Sequence, residues 1–256
     1  MNITTGKNLS CWMLHGLLLA LVGLSTPAGS YAAKQSEVEQ VRLLRGITVD
    51  SAGVAMDEAT VASGLKEALH VAVDNAVALR GARGGFAACA GFRIAPAREL
   101  CSMVGNSSPE RAHEELQRLE EGMNRVAEMA STAAGPLLHE AVARLRIPYA
   151  IEVLRGDSDA ATAYLRRHKF ANIEEEFSSL VRRKMGEAGL YNNLSDLLRS
   201  LEPTSEPEDA MYDDLHTYIT AEALGGIFAT LKQEEHAIRT RPAARTTEQI
   251  KRVFSR

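Results

Sequence analysis

Aromatic side chains make up only 5% of the 256 residues, and the single tryptophan, Trp12, stands near the amino terminus. Three cysteines, Cys11, Cys89 and Cys101, are too few for a disulfide-built fold, and none forms a Cys-x-x-Cys pair. No apolar run reaches the roughly 20 residues of a comfortable membrane-spanning helix. A nucleophile elbow, a phosphate loop, a dinucleotide fingerprint and a paired zinc motif are all missing. The formal net charge of -4 argues against general nucleic-acid binding, which needs a cationic surface. Few aromatics beside 45% hydrophobic content and abundant alanine favour packed helices over sheets.

What is present begins with the first 32 residues. Residues 1–10 are polar with one charge, Lys7, and residues 11–24 are a short, mainly apolar run containing His15. Thr26-Pro27-Ala28-Gly29 breaks the run, and Ser30-Tyr31-Ala32 places small residues three and one before a cut after Ala32. This is the layout of a secretory signal peptide, and it predicts a periplasmic or secreted protein. An uncleaved anchor is the alternative. Cleavage would remove Trp12, Cys11 and Lys7, leaving an even pair of cysteines and a net charge of -5, from 28 basic and 33 acidic residues. Residues 33–56 then read as a mobile linker, because Val38, Val41, Leu43 and Leu44 offer too little apolar surface to hold a helix.

Residues 57–256 read as one all-α domain, a single multi-helix bundle of about eight or nine helices. The clearest helix covers 57–79, where Val61, Leu65, Ala68, Leu69, Ala72, Ala76 and Leu79 share one face. Asp57 or Thr60 caps its start and Gly81 ends it. A loop over 81–96 precedes a short helix at 97–104. Pro109 opens a helix through 133 with a stripe of Leu116, Leu119, Met123, Val126, Ala127 and Ala130, and Gly135-Pro136 starts another over 137–146. Shorter helices are expected at 148–154, 160–168, 173–188 and 194–201, with Asn172 starting the third of these and Gly189 closing it. A polar loop at 202–209 leads to a long helix over 213–239, and Thr246 or Thr247 begins a last one ending at Phe254.

Ordered stretches along this pattern carry a family resemblance. They are Gly64-Leu65-Lys66-Glu67-Ala68-Leu69, Gly84-Gly85-Phe86, Met123-Asn124-Arg125 with Ala127-Glu128, Leu154-Arg155-Gly156, Ala160-Ala161-Thr162-Ala163-Tyr164-Leu165-Arg166, Tyr218-Ile219-Thr220 with Ala223-Leu224, Gly226-Ile227-Phe228, Glu234-Glu235 with Ile238-Arg239, Pro242-Ala243-Ala244-Arg245-Thr246-Thr247, and Val253-Phe254. From about residue 58 to the end the chain resembles the bacterial Domain of Unknown Function 4197 family. The resemblance implies an exported helical protein of unknown activity and supplies no catalytic residues. The chain departs from the family pattern at Ala87-Ala88-Cys89, where polar residues are usual, and at Tyr149 and Gly225, where the family carries acids. The two lost carboxylates weaken any site that would have used them.

Several constellations are candidates for chemistry. Cys89 and Cys101 could pair in an oxidising compartment, which would stabilise by about 3 kcal/mol in the chain-entropy model; the alternative is two buried thiols. Glu67 with His70 and Glu110 with His113 have the Glu-x-x-His spacing of helical metal sites, as does Asp213 with His216, while Glu234, Glu235 and His236 cluster. Solvated surface groups explain these better, so no metal and no cofactor is expected. Asn124, Arg125 and Glu128 form either the floor of a pocket or a structural ion pair, and the same two readings apply to Tyr164 with Arg166 and to Tyr218 with Thr220. The stretch from Arg239 onward holds six basic residues and that between Glu202 and Asp214 six acidic ones; these read as solvated faces, or as two stretches that meet, more readily than as a lipid-binding tail. Together these features predict a non-enzymatic exported protein that binds an apolar small molecule or an envelope partner, with no transmembrane segment in the mature chain. The alternatives are an uncharacterised enzyme with a polar cleft around Asn124, Arg125, Glu128, Tyr164 and Arg166, and a structural or accessory envelope protein.

Overall fold

Four long amphipathic segments set the architecture, because each must bury an apolar face against another. A computed structural model of the chain describes residues 48–49, 55–105, 109–201 and 208–255, so the leader and most of the expected linker lie outside the described residues. Nine α-helices occur among them: α1 (Glu58–Gly81), α2 (Arg98–Met103), α3 (Glu110–Ala133), α4 (Gly135–Ala143), α5 (Ala150–Arg155), α6 (Ala160–Glu187), α7 (Leu190–Ser200), α8 (Glu208–Thr240) and α9 (Glu248–Phe254). A 3-10 turn, Pro242–Ala244, links the last two. Thr48–Val49 and Ala55–Met56 make one two-residue antiparallel pairing ahead of α1, and Met56 is buried in the core.

Helices α1, α3, α6 and α8 form the centre; α8 packs on α1 and α6, and α3 packs on α1, α6 and α8. The short helices wrap this centre, with α4, α5 and α9 on α1 and α7 on α3. Asp57 caps α1 as expected, its Oδ1 accepting from the Thr60 N–H at 2.7 Å. That contact with the Thr60 side chain and N–H holds the Asp57 carboxyl below its ordinary range. Gly189 closes α6 with φ of 69°, a conformation that costs glycine little. Thr247 caps α9 by accepting from the Ile250 N–H at 3.2 Å.

Three expectations need correction. Leu79 is not on the buried face: it is 48% exposed, while Arg80 takes the interior position at 6%. The expected pair of helices at 160–168 and 173–188 is one helix of 28 residues. Ala161, Leu165, Ile173, Phe177, Val181 and Met185 are buried at intervals of four, broken only by Lys169. Asn172 is exposed, so its side chain points to solvent and breaks nothing. A four-residue interval drifts around the helix, which lets α6 meet α4, α5 and α8 as well as α3 and α7. The long carboxy-terminal helix also begins earlier than expected, at Glu208.

Candidate functional site

Helix ends leave unsatisfied backbone groups, and nine short and long helices in one bundle create many of them near the interior. One buried charged residue among those described, Glu235, meets two such groups. Glu235, 1% exposed on α8, accepts from the first turn of α6: its Oε1 and Oε2 lie 2.9 and 2.7 Å from the N–H groups of Ala161 and Thr162. One turn on, Arg239 donates its Nε to Glu235 at 2.9 Å and its terminal nitrogens to the carbonyls of Leu154 and Val153 at 2.7 and 3.1 Å. Those two carbonyls end α5. Arg245 reaches back to the carbonyls of Ile238 and Arg239 near the end of α8. An acid thus sits at a helix amino end and bases at carboxy ends, as the helix dipole favours. Lys232 and Asp159 add an outer ion pair of 2.8 Å beside this hub, and it holds the Asp159 carboxyl below its ordinary range.

A second set braces the 81–96 loop against α3. Asn124, 2% exposed, accepts the Ile94 N–H through Oδ1 at 3.0 Å and donates Nδ2 to the Ile94 and Glu120 carbonyls, both at 2.8 Å. Glu128, 3% exposed, accepts the Gly84 N–H at 2.8 Å and pairs with Arg125 at 3.4 Å. Arg80 donates to the Gly85 carbonyl at 2.6 Å and lies 4.0 Å from the Phe92 ring centroid, a cation–π contact. Phe86 fills the space over Gly226 on α8, where a Cβ would come within 2.7 Å of the ring. Tyr218 donates its phenol to the Ala95 carbonyl at 3.0 Å, and burial raises that phenol above its ordinary range.

The five residues of the expected cleft therefore serve different structures. Asn124, Arg125 and Glu128 hold the loop. Tyr164 donates to the Arg146 carbonyl at 2.9 Å, and Arg166 lies 5.1 and 5.7 Å from the centroids of Phe170 and Phe228. Two residues apart on a helix, Tyr164 and Arg166 leave its axis about 200° apart. Cys89 and Cys101 stand as free thiols, the first half-buried and the second exposed. Tyr149, at one lost carboxylate, is 66% exposed, and a Cβ at Gly225 would meet open space. Acids at either position would stand on the surface.

The histidines are placed just as specifically. Nε2 of His216, 6% exposed, lies 2.9 Å from the Ser178 carbonyl and 3.2 Å from its Oγ, with Arg182 3.4 Å from Nδ1. A guanidinium can only donate, so Nδ1 accepts and Nε2 carries the proton. A ring already presenting its proton to Ser178 cannot take the serine's proton. Glu234 accepts from Asn75 at 2.7 Å. His70 is bonded to His139, a partner the sequence did not reveal. Among the described residues, no group of three His, Cys, Asp or Glu side chains could hold a metal ion. A depression of about 70 Å³ between α4 and α6 is lined by Glu140, Arg144, Lys169 and Glu176 among others. Ligand pockets usually measure about 300–1,000 Å³ and are mostly apolar.

The fold and these braces define an all-α protein in which several buried polar side chains close helix ends and one loop. Among the described residues, no helix is long and apolar enough to cross a membrane. The model of the family "Protein of unknown function (DUF4197)" matches residues 55–255, and the chain belongs to that family. No curated protein and no solved structure matches the chain. The stretches that carried the resemblance converge on the braces: Leu154, Ala161, Glu235, Arg239 and Arg245 meet in the hub, and Gly84, Phe86, Glu128 and Gly226 in the set that holds the 81–96 loop.

Proposed function

We propose that the chain is exported, cleaved after Ala32, and acts without chemistry by presenting the surface of its helical domain to another protein of the envelope. One observation carries this reading. Glu128, Asn124 and Glu235, which are buried, and the nearly buried Arg239 reach backbone groups instead of converging on a cleft. The depression between α4 and α6, at about 70 Å³, is small for an apolar ligand.

The export half is tested by amino-terminal sequencing and fluorescence. A mature protein from the envelope begins near Ala33 and lacks tryptophan emission, because Trp12 is gone. A start at Met1 contradicts cleavage. The binding half is tested by a photo-crosslinker at exposed Tyr149 in intact cells, with native mass spectrometry of the purified mature chain. A discrete protein adduct supports the reading. A small molecule released only on unfolding overturns it.

A further inference from the structure

His70 on α1 and His139 on α4 meet through their Nδ1 atoms at 2.8 Å, with ring centroids 5.0 Å apart and planes inclined by 23°. On its other side, His139 Nε2 lies 2.9 Å from Asp74 Oδ1. We propose that His70, His139 and Asp74 form a proton-operated latch that holds α4 to α1 and releases it when both rings are charged.

The protons can be assigned. Asp74 as a carboxylate only accepts, so His139 carries its proton on Nε2 and donates it there. Its Nδ1 is then an acceptor and takes the hydrogen bond from His70 Nδ1–H. The neutral chain runs His70 to His139 to Asp74 with every donor matched. A first added proton can occupy His70 Nε2 and leave both bonds intact. A second must take the remaining lone pair, on His139 Nδ1. Two cationic rings then point N–H groups at each other across 2.8 Å, and the contact cannot persist.

The surroundings oppose charging. Burial and then the neighbouring His139 hold His70 below its ordinary value of 6.5, against the opposite pull of Glu67 and Asp74, with Lys66 adding to the depression. The packed elements also carry Glu234 of α8, held by Asn75, and Glu140 of α4, paired at 2.6 Å with Arg144 just past its end. Lys169 and Glu176 of α6 line the depression against α4. A histidine depressed in the folded state binds protons more readily when released. The latch is therefore stabilising above pH 6.5 and weakens as pH falls from there through the folded value.

Helix α4 is a suitable moving part. It has nine residues, starts at Gly135-Pro136 and fully buries only Leu138 and Val142. Besides the histidine contact, Lys66 holds its last carbonyl, that of Ala143, at 2.8 Å. So few anchors make it a candidate for local opening.

The experiment is hydrogen exchange of the mature chain at about pH 7.5 and about pH 5, spanning the histidine range. Rates are corrected for intrinsic exchange and read in the presence of a chelator. Residues 134–147 should lose protection severalfold at the lower pH while α3 and α8 do not, and His70→Gln should abolish the difference. No loss in the wild type, or the same loss in His70→Gln, overturns the latch. Imidazole nitrogen NMR of the unmutated chain is a second readout should the variant not fold. Near neutral pH it should place protons on His70 Nδ1 and His139 Nε2; the reverse assignment overturns the proposal. Repeating the exchange with Zn(II) in place of the chelator distinguishes a metal pair. Unchanged protection supports the latch, and strong new protection of 134–147 assigns the histidines to metal and overturns it.

Discussion

The Glu235–Arg239 hub and the His70–His139–Asp74 contact both put ionisable side chains between helices, yet they do opposite work. In the hub the carboxylate and the guanidinium hold each other and also end on backbone amides and carbonyls, which need a partner at every pH. In the histidine contact the side chains end on each other, so one or two protons change what the contact is worth. The hub joins the ends of α5, α6 and α8, while the histidines join the sides of α1 and α4. The lesson is that ionisable contacts in this molecule hold at every pH where they end on backbone groups and are conditional where titratable side chains end on each other.

The sharpest way to break the hub is Glu235→Ala. It leaves Arg239 nearly buried without its carboxylate and two amides of α6 without acceptors. The expected loss is about 3–5 kcal/mol by chemical denaturation. Asn124→Ala strips the Ile94 N–H and carbonyl of their partner, and a loss of about 1–3 kcal/mol is expected in the same assay, with faster hydrogen exchange in residues 82–94. Gly226→Ala should cost less. Overpacking against Phe86 costs about 1–3 kcal/mol, offset by the roughly 1 kcal/mol that alanine gains over glycine in a helix. A net loss with a displaced Phe86 ring in a structure of the variant is expected, because that ring is fully buried. The smallest effect belongs to His70→Gln near neutral pH, where glutamine can still donate to His139; the melting temperature should barely move.

The pH windows separate the two kinds of group further. Asp57 and Asp159 have carboxyls held below their ordinary 3.8, so their contribution is present above that value and lost as pH falls through the folded one. Asp57 is exposed and Asp159 only half-buried, so the acid limb they produce should be shallow. His70 acts in a higher window, below its ordinary 6.5. A melting curve recorded against pH should therefore show an early loss that His70→Gln removes and a later one that it leaves.

Much of the fold was legible in the residues. Helix periodicity placed the faces of α1 and α3, and Asp57, Gly189 and Thr247 marked ends by ordinary capping chemistry. Asn172 misled because capping residues say nothing about which way they point, and Lys169 hid the stripe that continues through α6. The braces were less legible. Glu235 lies four residues after Leu231 and three before Ile238, squarely on a buried stripe, and that position was the available signal for a paired carboxylate. Reading it beside His236 as surface charge overlooked the face it occupies. Arg80, four residues after Ala76, gave the same signal on α1. The His70–His139 contact had none, since 69 residues separate partners that only the tertiary fold unites.

The most direct measurement is chemical denaturation of Glu235→Gln and His70→Gln beside the wild type from about pH 8 to about pH 5, across the histidine range. The account predicts a large deficit for Glu235→Gln that stays constant over the series. For His70→Gln it predicts near equality at the alkaline end and a relative gain over the wild type at the acid end. A Glu235→Gln protein as stable as the wild type, or a His70→Gln curve parallel to the wild type throughout, would contradict it.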